Sequence, residues 1–129
     1  MYLLDTHCWL WLKAEPARLP SPLRRRLLRS PEALVLSSVA VMEIVIKSGT
    51  GRLRLDGEVS RFVAELLDDG VRPLAVTSAH ALRLGSLAPL HRDPFDRLLL
   101  AQALEEGLTL VSADPQVLDY GVPALDARK

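Results

Sequence analysis

Three short apolar runs constrain this chain more than any other feature: "YLLD" at residues 2–5, "ALVLSS" at 33–38 and "LTLVSAD" at 108–114. Each is too short for a buried helix, and none alternates apolar with polar positions. Strands buried on both faces read this way, and such strands belong to parallel sheets covered by helices. The segments between them carry helical spacing. Leu23, Leu27 and Leu28 fall on a helix between prolines at 20 and 31, and "VAVMEIVIKSGTGRL" reads as a buried helix ended by Gly49 and Gly51. Residues 56–70 form an amphipathic helix with Val59, Phe62, Val63, Leu66 and Leu67 on one face. "VRPLAV" reads as a short strand and "SAHALRLGSLA" as a helix. A further helix carries Leu98, Leu99 and Leu100 and stops at Gly107, before the third apolar run. A small helix near "PQVLD" and a last strand at "PALDA" complete the chain. This alternation predicts an α/β fold with a central, mostly parallel sheet flanked by helices.

At 129 residues, without repeats or a linker, the chain is expected to form one domain over residues 1–129. Lysine plus arginine equals aspartate plus glutamate at 16 each, so no global basic field points to nucleic acid, and zero net charge favours association. Cys8 is the only cysteine, which excludes an internal disulfide and fits a reducing compartment. The opening "MYLLDTHCWLWLK" has no basic start, is interrupted by Asp5 and His7, and is too short to span a bilayer. It reads as a strand leading into a helix. The expectation is a cytoplasmic protein with no membrane segment.

Acidic residues fall where such a sheet would gather them. Asp5 and Asp114 end two apolar runs, at the carboxyl edge where open α/β sheets hold ligands. Asp96 opens the helix that feeds the Asp114 strand, and Asp93 stands three residues earlier, flanking Pro94 and Phe95. Glu43 lies among Val39, Val41, Met42, Ile44, Val45 and Ile46, where a carboxylate is expensive to bury unless paired or metal-bound. An oxygen-only cluster suits Mg²⁺ or Mn²⁺, whereas one cysteine and three scattered histidines give no zinc spacing. Each acid also has a plainer role: a turn at Asp5, helix-start acids at Asp93 and Asp96, an N-cap at Asp114, and an i,i+4 pair of Glu43 with Lys47. Four separate coincidences on one sheet edge are needed to make all of them plain.

These residues resemble the PIN-domain nucleases, and among them the VapC toxins of type II toxin–antitoxin pairs. "LLDTHCWLWL" is similar to the family's first block, "SSVAVMEIVIKSGTGRL" to its second, and "HRDPFDRLLLAQALEEGLTLVSAD" to a subgroup with a D-P-F-D-R signature. The resemblance implies a three-layer PIN-like fold and metal-ligating, catalytic roles for Asp5, Glu43, Asp96 and Asp114. It places Ser37 and Ser112 as hydroxyls beside the acids. Met42 and Ala40 stand where the family often carries an aromatic residue and a small hydroxyl, and Ser112 where it often has threonine; no ligand is lost. The implied activity is Mg²⁺- or Mn²⁺-dependent hydrolysis of RNA. The implied partners are a VapB-like antitoxin and a second copy of the chain.

Around the acids, Thr6 closes the strand-end turn, His7 contacts substrate or serves structure, and Asp93 supports the metal cluster or caps the helix. Arg97 binds a phosphate or pairs with a nearby acid. Arg24, Arg25, Arg26 and Arg29 form a solvated helix face or attract phosphate. Trp9, Trp11 and Leu12 pack in the core or receive an antitoxin helix, and Cys8 is a small buried hydrophobe. A haloacid-dehalogenase-like enzyme needs a second aspartate where His7 stands, and a receiver-like domain needs paired acids at the first strand end. The remaining alternatives are a PIN nuclease that is not a toxin, or a weakly catalytic module that binds RNA or a partner.

Overall fold

The computed structural model describes residues 1–90 and 92–129; His91 lies outside them. The three apolar runs form the central strands β1 (Tyr2–Leu4), β2 (Leu34–Ser37) and β4 (Thr109–Ser112). With β3 (Arg72–Leu74) and β5 (Ala124–Asp126) they make a five-stranded sheet in the order β3-β2-β1-β4-β5. Every strand pairing is parallel, and Leu3 faces Val35 on one side and Leu110 on the other.

Strand geometry explains why these runs carry no polar alternation. Successive side chains point to opposite faces. Leu3, Val35 and Leu110 enter one core with Val39, Leu99, Leu100 and Val117. Leu4, Leu36 and Val111 enter a second core with Trp9, Leu27, Ile44, Phe62 and Leu66. Both faces are covered by helices, giving three layers. The outer strand β3 tolerates Pro73 because a sheet edge does not require every N–H.

Among the described residues there are seven α-helices: α1 (Thr6–Ala14), α2 (Ser21–Arg29), α3 (Ser38–Gly49), α4 (Val59–Asp68), α5 (Ser78–Arg83), α6 (Pro94–Glu106) and α7 (Pro115–Leu118). α6 begins with Asp93 as N-cap and Pro94 in its first turn. It ends at Gly107, whose φ of 65° is left-handed and disfavours any residue with a Cβ. α5 is shorter than its sequence pattern, tightening into a 3-10 turn at Leu84–Ser86 around Gly85. Two further 3-10 turns, Pro16–Arg18 and Pro31–Ala33, start on prolines and went unforeseen. No helix among the described residues is long and apolar enough to cross a membrane.

The strand order reverses its sense between β1 and β4. Open α/β sheets form a crevice beyond their carboxyl ends at such a switch point, and Asp5 and Asp114 follow the two strands concerned.

Candidate active site

Asp5 leaves β1 in an extended conformation and caps α1, accepting the Cys8 N–H on Oδ1 at 2.9 Å. Its own N–H still belongs to the sheet, donating to the Val111 carbonyl at 3.0 Å. Its second oxygen accepts the Ser112 hydroxyl at 2.6 Å. The carboxylate is 6% exposed and is held from both sides. Ser112 Oγ also accepts the Asp114 N–H at 3.1 Å, so one buried hydroxyl ties the first acid to the last. Asp114 then caps α7 through the Gln116 N–H at 2.9 Å. Capping and site membership are therefore compatible at both aspartates, since a carboxylate has about four lone-pair positions.

Glu43 is 3% exposed on the inner side of α3. Thr6, the residue after Asp5, donates its hydroxyl to Glu43 Oε1 at 2.5 Å, which joins the start of α1 to α3. Lys47, one turn further along α3, pairs with Oε2. The Lys47 ammonium is held above the ordinary lysine range, first by its hydrogen bond with Glu43, and the charges of Asp93 and Asp96 act in the same direction. Among the described residues, no three acidic, imidazole or thiol side chains converge closely enough to enclose a metal ion.

Asp93 takes the capping role: Oδ1 accepts the Phe95 N–H at 2.9 Å and the Asp96 N–H at 3.4 Å. Asp96 stands half-buried in the first turn of α6. Arg97 donates Nη2 to the Leu84 carbonyl at 3.3 Å, which directs its guanidinium to the 3-10 turn. Ser37 is wholly buried, caps α3 through the Val39 N–H, and donates to Gln102 Oε1 at 2.5 Å.

That last contact opens a network that sequence reasoning missed. Gln102 and His80 are each 0% exposed. Gln102 Nε2 reaches the Ala75 carbonyl and His80 Nδ1 at 3.5 and 3.4 Å. His80 Nδ1 accepts the Thr77 N–H, leaving Nε2 to meet Glu106 at 2.9 Å. The chain of bonds links the β2 end to α5 and α6. Its sequence signal was a polar residue on the face of α6 that also carries the buried Leu99 and Ala103, at helical spacing.

Trp9 and Leu12 are core residues, at 0% and 7% exposure, so neither forms a docking surface. Trp11 does reach the surface, with Arg18 stacked 5.0 Å from its ring and His7 at 6.1 Å. Cys8 is fully buried, and that burial, with the nearby Asp5 charge, pushes its thiol above the usual range. Arg25, Arg26 and Arg29 are exposed on α2, and Arg24 donates to the Pro16 carbonyl.

A parallel sheet in this order, with acids at the β1 and β4 ends, on the α3 helix and at the α6 start, defines an open α/β domain with an acidic switch-point edge. Residues 2–122 match the PIN domain, and the chain belongs to the PIN-domain family. It is similar to Ribonuclease VapC22 of Mycobacterium tuberculosis, with 31% identity over 124 residues spanning 94% of this chain and 92% of that protein. Its fold is shared with VapBC2 from Rickettsia felis, in a structure bound to a promoter DNA fragment, at a TM-score of 0.73, 15% identity and 97% coverage of both chains. It is also shared with DNA-bound VapBC from Salmonella typhimurium, at a TM-score of 0.69 and 20% identity over 97% of this chain and 96% of that one.

Proposed function

We propose that this chain is a metal-dependent endoribonuclease, the toxin of a VapBC-type pair, acting in the cytoplasm as a single PIN domain over residues 1–129. One observation carries the reading: Asp5 is tied to Asp114 through Ser112, while the adjacent Thr6 grips the buried Glu43. Likeness over nearly the whole length to a named ribonuclease supports the same activity.

Asp5, Glu43, Asp96 and Asp114 are the residues proposed to hold Mg²⁺ or Mn²⁺. Their donors are all oxygen, which suits hard cations. Mg²⁺ keeps several waters and takes one or two carboxylates with substrate phosphate, so an enclosing three-acid cage is not required. When bound, the metal supplies Lewis acidity at the phosphodiester and activates the attacking water.

The chain's own residues set the geometry. Ser112 and the Cys8 N–H fix both oxygens of Asp5. Thr6 fixes one oxygen of Glu43, and Asp93 holds the first turn of α6, where Asp96 stands. Restricting these rotamers in advance lowers the reorganisation needed when phosphate arrives.

Two protein partners belong to the same reading. A VapB-like antitoxin segment would fit the groove of about 520 Å³ lined by His7, Leu10, Trp11, Leu53 and Leu55, with apolar anchors beside Trp11. A second copy would cover Met42, Val45 and Ile46, which sit about half-exposed on one side of α3. Zero net charge leaves no long-range repulsion between copies.

The test is cleavage of a mixed cellular RNA pool by the purified chain with Mn²⁺ or Mg²⁺, against an EDTA control. The proposal expects cuts at reproducible positions only with metal. Metal-independent cutting, or none alongside metal binding at the acids, would contradict it.

A further inference from the structure

Lys47 has no part in the reading above, yet its ammonium sits inside the acidic edge. It lies one helical turn beyond Glu43 and pairs with Oε2; the Lys47 side chain is 26% exposed and that of Glu43 4%. The opposite oxygen of Glu43 is engaged by Thr6. The negative charges of Asp93 and Asp96 at the start of α6 act on the same ammonium in the same sense as Glu43, more weakly. Glu43 therefore has one fixed, neutral partner and one cationic partner on a flexible four-carbon stem with a route to solvent.

The chemistry of that pair limits what else can happen there. A buried carboxylate stripped of that cation carries a large desolvation penalty. A divalent cation at Glu43 would face the ammonium at a few ångströms, and like charges at that distance repel strongly where water is scarce. Lysine is suited to leaving, because it is a point charge on a mobile stem, and the stem can carry its head back to water.

We propose that Lys47 is the resident counter-ion of Glu43: it holds the carboxylate in place in the metal-free protein and yields Oε2 to the incoming divalent cation. This rests on the metal site proposed above. Lys47 then sets a threshold for metal occupancy and keeps the edge folded below it. Its role is to position Glu43; it does not act on RNA.

The experiment compares Mn²⁺ binding, by calorimetry and by the spin resonance signal of free Mn²⁺, in the full-length wild type, Lys47→Met, Lys47→Arg and Glu43→Gln proteins. Thermal melts in EDTA and in Mn²⁺ accompany it. Lys47→Met keeps the stem and removes the charge; it should bind Mn²⁺ about tenfold more tightly, the equivalent of about 1.4 kcal/mol. It should also melt lower in EDTA and gain more from Mn²⁺ than the wild type does. Lys47→Arg should stay near the wild type in affinity. Should Lys47→Met fold only with Mn²⁺, the proposal stands in its strongest form; should it not fold at all, Lys47→Gln takes its place with the same expected tightening. Wild-type binding that Glu43→Gln abolishes, with affinity unchanged or weaker when the Lys47 charge is removed, overturns the proposal alone. No Mn²⁺ binding by any of the proteins overturns it together with the metal site.

Discussion

The Ser112 hydroxyl donates to Asp5 at 2.6 Å across 107 positions of sequence, and the same oxygen accepts the Asp114 N–H. One small side chain at the end of β4 thereby fixes the acid at the end of β1. The parallel register puts Leu4 beside Val111, so Asp5 and Ser112 are the next pair beyond the ladder.

Ser112→Ala removes a donor from Asp5 and an acceptor from Asp114 at once. Loss of a group that orients a metal ligand commonly costs about ten- to a hundredfold in activity or metal affinity. The unsatisfied buried partners should cost about 1–3 kcal/mol in stability. Ser112→Thr keeps the hydroxyl and should restore most cleavage. Denaturant melts and initial rates on one RNA substrate check both effects; equal rates for Ser112→Ala and wild type would show that Asp5 needs no such restraint.

Gln102→Leu should destabilise the fold by about 1–3 kcal/mol, because the buried Ser37 hydroxyl loses its acceptor and the buried His80 ring a polar neighbour. Urea unfolding measures this. A stability equal to wild type would mean that apolar packing replaces the network without loss.

Glu65 on α4 bridges Lys13 on α1 and Arg61 on its own helix, and the Lys13 hydrogen bond, first among the causes, holds its carboxyl below the usual glutamate value of 4.5. A depressed folded pKa contributes stability above the unfolded value, and that contribution is lost as pH falls through the folded value. Wild type should thus exceed Glu65→Gln by a small margin at neutral pH, small because the group is exposed and screened. The margin should vanish on acidification below 4.5 and shrink in high salt. Melting curves across pH give the answer, and a margin that grows toward acid would reverse the assigned sign.

Ile46→Lys places a charge in the exposed apolar side of α3 without touching a core residue. Sedimentation should show a dimeric wild type and a monomeric variant, with little change in melting temperature beyond that due to dissociation. An identical sedimentation profile for both would move the self-association surface elsewhere.

Much of this was legible in the residues, and for identifiable reasons. The runs at β1, β2 and β4 announce two-sided burial because consecutive positions are apolar at their centres, Leu3–Leu4, Leu34–Val35–Leu36 and Leu110–Val111. α6 is framed by Asp93, Pro94 and Gly107, whose backbone preferences act locally. Asp5 and Asp114 could be placed on one edge because parallel strands share a carboxyl end. Trp9 and Leu12 were harder to assign: α1 is apolar on most of its circumference, so spacing does not separate core from surface, and only packing against α3 and β4 does. The Ser37–Gln102–His80 network depends on contacts between distant elements, and only one polar residue on a buried face hinted at it. Lys47 reads as an ordinary i,i+4 partner of Glu43 until Thr6 is seen to take the other oxygen of that carboxylate, joining α1 to α3. Arg97 stands next to Asp96 in sequence, yet its helical position directs it to the Leu84 turn.

The central claim is that the acidic edge at the β1/β4 switch point makes this chain a metal-dependent ribonuclease. The most direct measurement is metal-dependent RNA cleavage by Asp5→Asn and Asp96→Asn proteins beside the wild type, with circular dichroism spectra to verify their fold. Both variants should keep the wild-type spectrum and lose cleavage by orders of magnitude, since each deletes one negative charge from the cation site. Wild-type cleavage rates in two well-folded variants would contradict the account.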